Sequence, residues 1–251
     1  MYLILKNLKK NMKYWNKINN NYFKKQIKKP LLSTLAFFNF LNKFGLLKKE
    51  YLIDAGCGNG ANLAFVVKKY QLKNNLIGFD NAKDLIKVAI TKYKKFKNIE
   101  FKIDNINRIK NKNILKKNNS GIISLQVLCN LKDYKQAILN LSKLNPDFIS
   151  VSSLFWDSDL SFYININKCK NLKSKKIVNY NIYSLPQYKL FLKKLGYKHF
   201  KILKFTPNKK IYTANKKKLG TYTVENKNER IQISGPILMN WYFIIASKKK
   251  L

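Results

Sequence analysis

The sequence predicts an α/β protein: a Rossmann-like, seven-stranded, mostly parallel sheet with helices on both faces and an N-terminal helical cap. Three observations predict it. Short apolar runs of strand length alternate with longer segments of helical periodicity, the pattern of βαβ units. The runs are apolar throughout instead of alternating with polar residues, as expected of strands buried on both faces. The first of them, Tyr51-Leu-Ile, ends in Asp54 and feeds a turn with glycines at 56, 58 and 60, after which a helical pattern begins.

The elements follow in order. Residues 1–29 are rich in lysine and asparagine, with Tyr14, Trp15, Tyr22 and Phe23 interspersed. Leu31, Leu35, Phe38, Leu41 and Phe44 fall at helical spacing, and Pro30 suits a first turn. Residues 1–48 are therefore expected to form the cap and 49–251 the main domain, one globular unit overall. After the glycine turn, Leu63, Phe65, Val66 and Val67 mark the first crossover helix. A second strand, Leu76 to Phe79, ends in Asp80, and Ile86, Ala89 and Tyr93 line the next helix. A third strand, Ile99 to Ile103, ends in Asp104. A lysine- and asparagine-rich linker leads to a fourth, Gly121 to Leu125. Tyr134 to Leu144 form a helix stopped by Asn145-Pro146, and Phe148 to Ser152 form a fifth strand. Tyr188, Phe191, Leu192 and Leu195 mark a last helix with Gly196 just past its end. Strands at Phe200–Phe205 and Trp241–Ala246 complete seven, separated by an excursion with β-like pieces at 221–224 and 231–234.

A composition of 46% hydrophobic residues is that of a globular chain. The longest apolar stretch, Leu31 to Leu47, is broken by Ser33, Thr34, Asn39, Asn42 and Lys43, too polar to span a bilayer. The opening residues hold a very short apolar run and no small-residue cleavage site, so a cytoplasmic, soluble protein is expected. Cys57, Cys129 and Cys169 fit no metal spacing, and His199 falls in a predicted strand as a structural residue. The formal charge is +39, yet of 51 basic residues only Arg108 and Arg230 are arginines. The lysines are spread along the chain with asparagine and isoleucine, as an AT-rich coding sequence would produce. Compositional drift accounts for the charge, with RNA or an anionic membrane surface as the alternatives.

The glycine spacing separates two cofactor readings. A dinucleotide turn has the order G-x-G-x-x-G, whereas residues 54–60 read D-x-G-x-G-x-G. This arrangement resembles the first motif of the class I S-adenosylmethionine (SAM)-dependent methyltransferases. With the order of elements around it, the chain looks like the small-molecule branch, similar to the methylases of quinone biosynthesis, over residues 50–150. The resemblance implies that SAM is the cofactor, with Asp54, Ala55, Gly56, Cys57, Gly58 and Gly60 around its amino-acid part. Asp80, with Asn81 beside it, can accept both ribose hydroxyls at the end of the second strand. The family pattern implies an adenine contact at Asp104 and Asn105, and a methionine contact at Leu125 and Gln126 after the fourth strand.

Methyl transfer from a sulfonium needs little proton machinery, and no histidine or carboxylate pair stands out. Asp157 and Asp159 are the candidates where a base is required, and Phe155 and Trp156 the candidate walls of the acceptor site, with Trp15 and Tyr222. The expected function is methylation of a small-molecule or biosynthetic acceptor by in-line displacement. The alternatives are a tRNA or rRNA methyltransferase with a lysine-rich surface, and a binding module that kept the fold and lost activity. None of the five prolines adjoins another, so the Pro-Pro motif usual in amino methylation of bases is missing. Cys129 sits in Leu-Cys-Asn without the proline that generally flanks a cytosine-attacking thiol, and is read as a buried thiol.

Overall fold

A computed structural model describes residues 26–27, 29–170, 173–207, 221–226, 229–234, 237–238 and 240–251. Helix α1 (Leu32–Lys43) precedes β1 (Tyr51–Ala55), α2 (Ala61–Tyr70), β2 (Asn75–Asp80), α3 (Lys83–Tyr93) and β3 (Ile99–Ile103). A short helix α4 (Lys112–Leu115), β4 (Ser120–Leu125), α5 (Tyr134–Ser142) and β5 (Phe148–Ser153) continue the alternation. Next come β6 (Phe155–Trp156), β7 (Asn165–Lys170), β8 (Lys173–Asn179), β9 (Tyr183–Ser184) and α6 (Leu185–Lys194). The chain ends with β10 (His199–Lys204), β11 (Thr221–Asn226), β12 (Glu229–Ser234), β13 (Ile237–Leu238) and β14 (Tyr242–Ser247).

Seven strands form the central sheet in the order β10-β14-β5-β4-β1-β2-β3. Strands β1 to β5 pair in parallel, while β14 runs antiparallel to both β5 and β10. The predicted strands are therefore all present, each within a residue or two of its expected bounds. The excursion before β14 contains the antiparallel β11–β12 pair. The β7–β8 hairpin was not legible, because lysine and asparagine occupy both parities of that stretch.

The sheet is buried on both faces, and adjacent residues of β1 divide between them. Leu52 joins Phe37, Phe38 and Leu41 of α1, Leu63 and Val66 of α2 and Phe243 of β14. Ile53 joins Ile138 and Leu141 of α5, Tyr188 and Leu192 of α6 and Ile244. Helix α1 is thus part of the sheet's own core. The start of α6 is capped by the Ser184 hydroxyl, which accepts from the Gln187 N–H at 3.2 Å, and the helix stops at Gly196 with φ +91°. Strand order reverses between β1 and β4, the switch point at whose carboxyl edge such sheets bind ligands. Among the described residues no helix is long and apolar enough to cross a membrane, and no cluster of three metal-ligating side chains occurs.

Candidate active site

Five strand tips meet at that edge. At the first, Asp54, next to last in β1, has 1% of its surface exposed, and neither carboxylate oxygen has a hydrogen-bond partner. Burial, reinforced by the charge of Asp80, pushes its pKa up to about 8. The chain then turns through Gly56, Gly58 and Gly60, all with positive φ. The N–H groups of Gly56 and Cys57 both donate to the Phe79 carbonyl, at 2.8 and 3.1 Å, stitching the turn to β2. A Cβ on Gly56 would lie 2.4 Å from a Val127 methyl, and one on Gly60 2.5 Å from the Phe101 ring. These two glycines are required by close packing as well as by backbone conformation.

Asp80 ends β2. Its Oδ2 accepts the Gly58 N–H at 2.9 Å and its Oδ1 the Ala82 N–H at 2.8 Å. Burial raises its pKa, and the amide hydrogen bonds oppose that rise. A carboxylate has about four acceptor positions, and with the Asn81 N–H as a third backbone donor one position remains for a ligand's hydroxyl. Asn81 beside it is exposed.

At the tip of β4 the Ser124 hydroxyl donates to the Ala55 carbonyl at 2.8 Å. Leu125 and Gln126 are half-buried, and Gln126 adopts φ +59°, left-handed for a non-glycine residue. Its N–H donates to the Ser152 carbonyl at 2.8 Å, and its side-chain amide donates to the Ser33 hydroxyl at 3.2 Å. The first turn of α1 is thereby tied to the switch point.

A family model described as "Methyltransferase domain" matches residues 46–220 of this chain. The chain belongs to the class I SAM-dependent methyltransferases. A search of the curated proteins finds no significant match. Among solved structures, magnesium protoporphyrin IX methyltransferase from Synechocystis PCC 6803, with S-adenosylhomocysteine (SAH) bound, superposes with TM-score 0.53 at 14% identity, covering 94% of each chain. The N-terminal domain of EvdMO1 with SAH bound gives 0.57 at 9% identity, covering 86% of this chain and 81% of that one. The citrinin polyketide synthase CMeT domain gives 0.51 at 12% identity, covering 80% of this chain and 47% of that one. The methyltransferase thus spans about half the length of that synthase chain. At these identities the neighbours show a shared fold.

Two expected site residues of this methyltransferase have other work. The Asp104 carboxylate accepts from four N–H groups, those of Asn105, Lys110 and Asn111 and the Asn111 side-chain amide. Its acceptor positions are used in folding its own loop, and the Asn105 N–H is held at 2.7 Å within that arrangement. The adenine contact expected of Asp104 and Asn105 would have to share a carboxylate already engaged by these four donors. Phe155 is fully buried, its ring 4.8 Å from that of Tyr188, so it is a core residue and not an acceptor wall.

The neighbouring Trp156 is 46% exposed and meets the Phe162 ring edge-on at 6.3 Å. Asp157 and Asp159 are exposed, and the Gln187 side-chain amide donates to Asp159 at 3.4 Å. Trp15, and the side chain of Tyr222 on β11, lie outside the described residues. Burial pushes the Cys57 thiol well up and that of Cys129 up to about 12, so both remain protonated thiols at neutral pH. Sequence reasoning missed Ser33, visible only as a polar break in an apolar run. It also missed Ser152, buried with an unpartnered hydroxyl, and Trp241, whose buried ring N–H is unpartnered. Trp241 adjoins Tyr242, which pairs with Ser153, so it stands at the same edge.

Proposed function

We propose that this methyltransferase transfers a methyl group to a small-molecule acceptor held at the rim beyond β4 and β5. The observation that carries the reading is Asp54: a buried carboxylate with no partner, beside a left-handed glycine turn, at the switch point. A buried carboxylate without a partner costs stability unless a ligand cation completes it. The α-ammonium of SAM fits that position, and a hydroxyl of the ribose diol fits the remaining acceptor position of Asp80. Gly56, Cys57 and Gly58 present backbone without bulk against the cofactor's amino-acid part, and Leu125 and Gln126 flank its methionine chain. Asn81 is placed for the outer face of the ribose.

When bound, SAM supplies a methyl group made electrophilic by its sulfonium. The protein's own contribution is orientation: holding an acceptor in line at near-attack distance can supply on the order of 7–11 kcal/mol of the barrier. Water exclusion adds to this, and Trp156 offers a large rigid surface for it. Asp157 and Asp159 stand in solvent, where a released proton passes directly to water. Two structural neighbours, the magnesium protoporphyrin IX methyltransferase and the CMeT domain of the citrinin polyketide synthase, are compatible with a small acceptor.

The test is calorimetry with SAH and NADH. SAH is expected to bind and to raise the melting temperature by mass action, while NADH does neither. Gly58→Val, which puts a branched side chain at a position with φ +56°, is expected to abolish SAH binding while the fold survives. Trp156→Ala is expected to lower turnover far more than SAH affinity. Binding of NADH without SAH would remove the assignment.

A further inference from the structure

The segment that leaves β5 at the active edge is unlike the rest of the surface. Trp156, Leu160, Phe162 and Tyr163 are exposed by 46, 62, 42 and 62%. Exposed apolar side chains concentrated on one short segment, with Trp156 and Phe162 in ring contact, point to a binding surface. The segment is also pinned. Phe162 and Ile182 exchange backbone hydrogen bonds at 2.8 and 2.9 Å, and the Ser184 N–H donates to the Ser161 hydroxyl at 2.8 Å. The Ile164 N–H donates to the Asn181 side chain at 3.1 Å. Asn181 in turn donates its backbone N–H to the Cys129 carbonyl and its side-chain amide to that of Leu131, at 2.7 and 2.8 Å. The apolar side chains therefore stand on backbone fastened to the loop after β4, beside Gln126.

Charge sets the segment apart as well. No lysine or arginine occurs from Trp156 to Asn167, the largely exposed stretch that follows buried β5, in a chain with 51 basic residues. Compositional drift fills tolerant surface with lysine, and an exposed stretch that escaped it is one where positive charge is disfavoured. Asp157 and Asp159 supply negative charge there, and among the described residues neither has a cationic side chain within salt-bridge range. Aromatic faces and carboxylates together attract a cation and repel a phosphate.

We propose that residues 156–163 form the acceptor platform, and that the acceptor it takes is an apolar molecule carrying an amine. The proposal rests on the small-molecule reading above and narrows it. The apolar body lies against Trp156, Leu160 and Phe162, and the ammonium faces Asp157 and Asp159. A polyanionic RNA is excluded from this rim by the same charges.

The test uses three probes with one aromatic body and different heads: phenethylamine, 2-phenylethanol and 3-phenylpropanoate. Each is titrated into nitrogen-15-labelled protein holding saturating SAH. The readout is the indole N–H resonance of Trp156, assigned by its loss in Trp156→Phe. Phenethylamine is expected to move that resonance with a Kd at least tenfold below that of 3-phenylpropanoate, with the alcohol between them. Phe162→Ser is expected to raise the phenethylamine Kd at least fivefold and leave SAH affinity unchanged. Equal or tighter binding of the carboxylate overturns the proposal, as does displacement of the probe by an RNA oligonucleotide. A resonance that moves with protein concentration alone also overturns it, the patch then being a self-contact. If SAH fails to bind, the methyltransfer reading falls instead; the same titration without SAH still decides the platform.

Discussion

Strands β1 and β3 each place an aspartate at the same sheet edge, Asp54 next to last in β1 and Asp104 just past β3, and the two carboxylates have opposite circumstances. Asp104 is 6% exposed and surrounded by N–H donors from the loop it starts. Asp54 is 1% exposed and has none. Both are buried acids on strand tips, so burial does not distinguish a site residue from a structural one. The difference lies in whether the chain itself completes the hydrogen bonding. A carboxylate that folds its own loop is spoken for, and one left incomplete within a buried edge is available to a ligand.

The isosteric change of Asp to Asn at each tip is expected to separate them. The largest effect on stability belongs to Asp104→Asn. Its new NH2 group faces N–H donors, leaving at least one buried N–H unsatisfied at about 1–3 kcal/mol each. A melting temperature lowered by several degrees is expected, and an unchanged one would remove the structural role. Asp54→Asn is expected to weaken SAH binding by roughly 10- to 100-fold, the range for hydrogen bonds to a charged group. SAH binding to the wild type near pH 6.5 should also release a proton, measured as a dependence of binding heat on buffer ionisation.

Asp54 has a second signature in pH. Its folded pKa of about 8 lies above that of an unfolded aspartate, about 3.9. Between those values the folded state keeps a proton that the unfolded state has lost, so stability falls as pH rises. The slope approaches about 1.4 kcal/mol per pH unit. Asp54→Asn should remove that part of the slope, melting above the wild type near pH 8 and together with it below pH 4. Asp80, also raised, contributes to whatever slope is left. Parallel profiles for the two proteins would show that Asp54 is already satisfied without a ligand.

The smallest effect concerns the tie between α1 and the switch point. Ser33→Ala removes one neutral hydrogen bond to Gln126, with an expected cost of about 1 kcal/mol. SAH affinity should fall by no more than a few-fold. A larger loss would make the first turn of α1 part of the cofactor site, drawing it to the Asp54 side of the comparison.

The glycine turn and the acidic strand tips were legible because they are local. Asp54, the three glycines and the following helix lie within a few residues of one another, and the spacing alone distinguished them from a dinucleotide turn. The stop of α6 at Gly196 was local too. The acceptor side was less legible. Phe155 and Trp156 are neighbours of the same type, and the sequence offered both as walls. Successive side chains of an extended segment point to opposite faces, and only the packing of Tyr188 settled which one turned inward. The loop role of Asp104 was not legible for a similar reason: the donors around it lie up to seven residues downstream, in a loop whose fold no periodicity announces.

The sequence by itself determined the order of strands and helices, the glycine turn and the acidic strand tips. Each is encoded by residue type at short range, through apolar periodicity and the conformational freedom of glycine. Tertiary structure decided which carboxylate was left open, and that Ser33 meets Gln126 across 93 positions of sequence. It also brought Trp241 to the tip of β5 through the antiparallel pairing of β14. Those outcomes depend on which hydrogen bonds and apolar faces are completed when distant segments meet, a condition no single stretch of the chain contains.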